Sequence, residues 1–407
     1  MGKPATILAS IALITITAGF GFAETFHNGH TGACEGCHGS SGADGSYASL
    51  LGADASSTCL RCHAAANPQD YQIATDPPPA DGLPPKAMTP AGDFAYLKKN
   101  YTWTNGNGSR GQSPGERHGH NILAAGYGYV ADSTLNVSPG GTYPAGQLSC
   151  ISCHDPHGNY RLVDVYGTIT TDHNPIGESG SYGAVPTADA AVGSYRLLAG
   201  KGYQPKGSTH VFANDPPIAV APKEYNRSES TSDTRVAYGK GMSKWCANCH
   251  EALLGGSANH LHPADAELGP IAGMYNNYIK SGDMSGMQAG AYTSLVPFQT
   301  AEATDPQQLS MEVTSTAGPN PNDRVTCLTC HRAHASGWDS ITRWNARGTF
   351  ITVAGEYPGT DAGGNGRDGE NSTGKLMAEY KAAMYNRDAA KFAVFQRQLC
   401  NKCHGKD

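Results

Sequence analysis

Twelve cysteines occur in this chain, and every one stands in the pattern Cys-x-x-Cys-His. The six copies are Cys34-Glu-Gly-Cys37-His38, Cys59-Leu-Arg-Cys62-His63, Cys150-Ile-Ser-Cys153-His154, Cys246-Ala-Asn-Cys249-His250, Cys327-Leu-Thr-Cys330-His331 and Cys400-Asn-Lys-Cys403-His404. This spacing suits the covalent attachment of haem c. Two thiols add to the two vinyl groups, the intervening pair sets the span, and the next histidine reaches the iron. Composition alone would produce roughly 0.01 such pentapeptides by chance. Redox Cys-x-x-Cys pairs and zinc knuckles need no histidine after each pair, and a disulfide framework would not place every cysteine in one motif. The cofactor expected is therefore six covalently bound haem c groups.

Ten of the sixteen histidines lie outside these motifs, enough to give every iron a second imidazole. Bis-histidine ligation keeps potentials low, whereas methionine raises them. In His154-Asp-Pro-His157 and His331-Arg-Ala-His334 the second histidine cannot cross the porphyrin to the far face of the same haem, so it belongs to another iron. On a helix the two Cβ atoms would be about 5–6 Å apart, which predicts haem pairs in contact. His118 and His120 are two apart, as are His260 and His262, so each pair holds one ligand and one bystander. His173 and His210 stand alone in polar sequence, the usual setting of a surface histidine.

The elements that must position these groups are sparse. Only 16% of residues are charged, against about a quarter in ordinary domains. Fifty-one glycines and 25 prolines, with 39% apolar residues, leave little material for a side-chain core. Successive first cysteines are 25, 91, 96, 81 and 73 residues apart, so the chain is no solenoid. Helix signals are confined to Ala264–Lys280 and Lys375–Lys402, the latter broken near Asn386. Tyr166–Thr171 and Thr349–Ala354 read as short strands. Asp76–Pro85 reads as extended polyproline and Gly39–Ser57 as a Gly/Ser/Ala loop. The fold class expected is a multihaem cytochrome c, mostly irregular coil with a few short α-helices and minimal β, its core organised by six stacked haems.

Residues 1–23 read as a signal peptide. Lys3 supplies the charge, Ala5–Ala18 the apolar stretch and Gly21-Phe22-Ala23 the cleavage site. Residues 24–407 then form a single haem-organised domain. No later run reaches the roughly 18 apolar residues of a membrane helix, so no membrane span is expected in the mature chain. A net charge of −6 without a Lys/Arg run gives no reason to expect nucleic-acid binding.

The whole mature chain resembles the OmcS-type extracellular hexahaem cytochromes. The resemblance runs through Phe26-His27, Gly119-His120-Asn121, Cys153-His154-Asp155-Pro156-His157-Gly158, Trp245-Cys246-Ala247-Asn248-Cys249-His250, Cys330-His331-Arg332-Ala333-His334-Ala335-Ser336 and Leu399-Cys400-Asn401-Lys402-Cys403-His404. It implies bis-histidine haems in one continuous stack, alternating parallel and T-shaped pairs, within a head-to-tail conductive filament at the outer cell surface. It also implies His27, His120, His157, His262 and His334 as distal ligands. Other multihaem cytochromes, metal oxides or electrodes are the expected partners. One departure concerns the joint. The family donates a histidine three residues after the first motif to the next protomer, and here Gly39-Ser40-Ser41 follows His38. His30, just upstream, is the available substitute. A non-polymeric periplasmic or cell-surface shuttle is the alternative. A multihaem reductase, needing an open iron, fits less well, so electron transfer rather than enzymatic turnover is expected.

Overall fold

The computed structural model describes residues 36–39, 49–69, 71–105, 107–156, 162–163, 169–170, 195–220, 235–254, 263–286, 296–300, 309, 317–359 and 372–405. The signal segment, Cys34, His27, His30, His157 and His262 lie outside them, as do His173 and His260.

The helices are short: α1 Ala55–His63, α2 Met242–Cys246, α3 Pro270–Asn277, α4 Cys327–Cys330, α5 Met377–Ala383 and α6 Asn401–His404. Four of them carry haem motifs. The strands are two to four residues long and pair only as neighbours. β1 Ala64–Ala65 lies parallel to β2 Ala74–Thr75. The pairs β3 Tyr101–Thr104 with β4 Arg110–Ser113, β5 Leu162–Val163 with β6 Ile169–Thr170, and β7 Ala219–Val220 with β8 Ala237–Tyr238 are antiparallel. No sheet of more than two strands forms among the described residues. The other described residues are turn, 3-10 segment or coil, as the glycine and proline content demands.

Several local expectations need correction. Of Ala264–Lys280 only Pro270–Asn277 is helical. Asp265 (φ 67°) and Gly269 (φ 51°) hold the chain in the left-handed region before it, and Tyr278 is extended after it. The stretch from Lys375 to Lys402 is α5, a 3-10 turn at Ala389–Lys391 and α6. Tyr385 and Asn386, with φ of 58° and 53°, make the expected break. Thr349–Ala354 makes only single bridges, Phe350 to Arg397 and Val353 to Glu356, because Ala354 (φ 54°) opens a tight turn. Of Tyr166–Thr171, Ile169–Thr170 is a strand. A turn closed by the Leu83 amide on the Ala80 carbonyl, with Gly82 at φ 82°, interrupts Asp76–Pro85. The loop Gly39–Ser57 ends at Asp54, which caps α1 by accepting the Ser57 amide at 2.6 Å.

The main buried cluster is rich in aromatics, including Phe94, Tyr129, Tyr275, Trp338, Trp344 and Tyr380. Trp338 meets Tyr380 edge-on at 4.8 Å, and Tyr380 stacks on Tyr357 at 5.2 Å. Large planar rings cover much area with few side chains, which suits a chain short of aliphatic residues.

Candidate haem sites

Each described cysteine is a free thiol. Burial pushes Cys153, Cys249 and Cys330 up to about 12 and Cys403 to about 11. Cys327, by contrast, is lowered to about 7 by its neighbours Cys246 and Ser243. No group of three or more His, Cys, Asp or Glu that could hold a metal by itself occurs among the described residues.

Four of the motif histidines are held in a common way. Nδ1 of His63 donates to the Tyr71 carbonyl at 2.7 Å, that of His154 to Arg196 at 2.8 Å, that of His250 to Pro139 at 2.8 Å and that of His331 to Ser340 at 2.7 Å. A carbonyl on Nδ1 fixes the tautomer and leaves the Nε2 lone pair for a metal. The acceptors at the third and fifth motifs sit in strained backbone. Arg196 and Leu197 have φ of 51° and 56°, and Ser340 and Ile341 have φ of 56° and 58°. Tandem left-handed residues other than glycine are costly, and here they aim a carbonyl at an imidazole.

The stretch from His331 to His334 is not helical. Helix α4 ends at Cys330, and His331 is extended at φ −111°, ψ 158°. His331 instead bridges Thr342. The turn beyond it carries His334 to the opposite side of a β-bridge between Gly119 and Ala335. His120 lies on the other strand of that bridge and donates its Nδ1 proton to the Ala333 carbonyl at 2.7 Å.

Two histidine pairs result. The rings of His120 and His250 are 6.1 Å apart, and those of His154 and His334 are 6.3 Å apart. Two imidazoles bonded trans to one metal at about 2.0 Å per bond have centroids about 6.3 Å apart. His250 of the fourth motif thus faces His120, and His154 of the third faces His334. Burial, with His250 and His331 nearby, lowers His120 to about 4 against the Ala333 bond that raises it. Burial, with His154, His120 and His63 nearby, lowers His334 to about 3. Both are neutral at physiological pH, the form that ligates iron. Phe94 stacks on the His334 ring at 4.7 Å and fixes its plane.

The two described histidines outside the motifs and these pairs, His118 and His210, are engaged at the nitrogen a metal would need. In the fully buried His118, Nδ1 donates to the Tyr96 carbonyl at 3.0 Å and Nε2 lies 2.7 Å from the Ser113 hydroxyl. His210 donates from Nε2 to the Asn248 carbonyl. The residues present thus fit covalently bound haem at the described motifs. The sequence alone marked neither the orienting carbonyls nor the bridge that brings His120 to His334. Carbonyls carry no side-chain signature, and the bridge joins segments more than 200 residues apart.

Six Cys-x-x-Cys-His motifs, with imidazoles paired at the separation two ligands of one metal would have, define a multihaem c-type cytochrome. No family model matches the sequence. The chain is 48% identical, over the full length of both, to the C-type cytochrome OmcS of Geobacter sulfurreducens. Two solved structures, the Outer Membrane Cytochrome S filament and the OmcS nanowires of the same organism, superpose with a TM-score of 0.83 at 47% identity, covering 94% of this chain and 100% of theirs. The chain belongs to the OmcS-type c-type cytochromes, which are electron-transfer proteins. No helix among the described residues is long and apolar enough to cross a membrane.

Proposed function

We propose that this chain binds six haem c groups through its twelve cysteines and carries electrons along them outside the cell. His38, His63, His154, His250, His331 and His404 would be the proximal ligands. The distal ligands would be drawn from His27, His30, His120, His157, His262 and His334. Bound haem supplies a one-electron iron couple that changes oxidation state without making or breaking bonds to a substrate. With these histidines as ligands no iron would be left open for turnover chemistry, and any reduction of a metal oxide would be outer-sphere. The observation that carries this reading is the pairing of His250 with His120 and His154 with His334 at trans-ligand separation.

Residues 24–407 act as one unit after export and removal of 1–23. The similarity to the OmcS filament supports head-to-tail polymerisation, with other multihaem cytochromes, metal oxides or electrodes as electron acceptors. His30 then supplies the inter-subunit ligand that Ser41 cannot. Electron microscopy of protein sheared from cells and never boiled, with a pyridine haemochrome count, tests the proposal. Filaments of uniform width with six haems per chain support it. Discrete particles with six haems leave a monomeric shuttle.

A further inference from the structure

Two contacts between neighbouring haem motifs are the same contact made twice. Ser56 stands three residues before Cys59 and accepts the amide N–H of Cys150 on Oγ at 3.1 Å. Ser243 stands three residues before Cys246 and accepts the amide N–H of Cys327 at 3.3 Å. Both serines are buried, at 0% and 1% exposure. The segments that carry the leading cysteines pack together in both places, Ala55–His63 on Cys150–Ser152 and Met242–Cys246 on Cys327–Cys330.

The surroundings repeat as well. The third motif reads Ser149-Cys150-Ile151-Ser152-Cys153-His154 and the fifth Thr326-Cys327-Leu328-Thr329-Cys330-His331. The Ser149 amide donates to the Ser152 hydroxyl at 2.9 Å, and that of Thr326 to Thr329 at 3.1 Å. The residue after each histidine donates to the second left-handed residue, Asp155 to Leu197 and Arg332 to Ile341, both at 2.8 Å. Ala199 returns to the Cys153 carbonyl at 2.8 Å and Arg343 to that of Cys330 at 2.9 Å. Before the other four motifs the corresponding position holds Thr31, Gln147, Arg324 or Arg397, so serine there marks the second and fourth motifs alone.

We propose that motifs two–three and four–five are two copies of one two-haem junction, in which Ser56 and Ser243 are positioning residues that seat the thioether edge of the third and fifth haems against the second and fourth. This rests on the six-haem reading above. Haem attachment consumes both thiol protons, so after it no hydrogen bond donated by sulfur can join the two motifs. The serine hydroxyl still can accept the cysteine amide and donate to the thioether sulfur, a weak acceptor. Serine is thus the polar tie that outlasts maturation, and it fixes the edge across which the electron must pass.

The test uses the mature holoprotein with Ser56→Ala, Ser243→Ala, the double variant and the threonine variants that keep the hydroxyl. Haem count and low-spin absorption should stay at parent values. The Soret circular-dichroism couplet, which reports the relative placement of neighbouring haems, should lose amplitude in each alanine variant and further in the double. Threonine should restore it. Couplets superimposable on the parent's, with six low-spin haems present, would overturn the junction role alone. Fewer than six haems in the parent would instead overturn the underlying reading. Hydrogen exchange of the parent holoprotein covers the case in which alanine prevents folding. The Cys150 and Cys327 amides should exchange at least about 100-fold more slowly than solvent-facing loop amides. Rapid exchange at either overturns the tie.

Discussion

The main-chain amide of His120 donates to the carbonyl of His334 at 3.0 Å. Two histidines from distant parts of the chain are thus locked back to back, one ring facing His250 and the other His154. Removing either ring should open one iron only. His120→Ala and His334→Ala are each expected to convert one haem from low-spin to high-spin, with the two effects adding in the double variant. His120→Met keeps six-coordination and should raise one potential by on the order of 100 mV. Electron paramagnetic resonance and spectroelectrochemistry of the purified holoproteins read these changes. A His120→Ala protein with all haems still low-spin would remove His120 from the ligand set.

Ala335, the residue that bridges both histidine segments, is fully buried between Gly92 and Gly119. A Cβ on Gly119 would come to 2.6 Å from the His334 carbonyl oxygen and from the Ala335 methyl, too close to be accommodated. Gly119→Ala should therefore disturb both haems served by the bridge at once, and cost about 1–3 kcal/mol of stability as overpacking does. The low-spin signals of two haems should broaden together. A change confined to one haem would show that the bridge does not couple them.

His118 makes the contrasting case. It is two residues from His120, yet its nitrogens serve Tyr96 and Ser113, and it lies 3.7 Å from Asp339. His118→Phe is expected to leave the haem spectra unchanged. It should lower stability by about 1–3 kcal/mol, because a buried carbonyl and a buried hydroxyl lose a partner. Thermal denaturation followed in the far ultraviolet measures the loss. A new high-spin haem in this variant would make His118 the ligand.

How much of this was legible in the sequence follows from range. The haem motifs are local, five residues long, and were readable at once, as was the irregular fold that glycine and proline impose. The break at Asn386 was legible because a left-handed residue ends a helix locally. The backbone between His331 and His334 was not legible, because a β-bridge from His331 to Thr342, outside the motif, sets it. The partners of His154 and His250 could not be read, since both arrive through contacts more than 100 residues away. The serines at positions 56 and 243 left a trace, three residues before a motif, but its meaning needed the cysteine amide of the next motif to be seen on the hydroxyl.

Lys375 lends the protein a pH dependence of its own. Its ammonium is 1% exposed and stacks on the rings of Tyr101 at 3.6 Å and Trp338 at 4.6 Å. Burial lowers its pKa from 10.5 to about 7, against Asp339 and Glu379, which raise it. Between about pH 7 and 10.5 the unfolded chain therefore holds a proton that the folded chain has released. Stability from this group rises with pH through that window, by up to about 1.4 kcal/mol per pH unit, and is level below it, where both states are charged. Lys375→Met removes the group while keeping much of its apolar length. The melting temperature of the parent should climb relative to this variant from pH 7 to 9, and the difference should be constant between pH 5 and 6. Parallel curves across the whole range would mean that Lys375 keeps its proton in the folded protein.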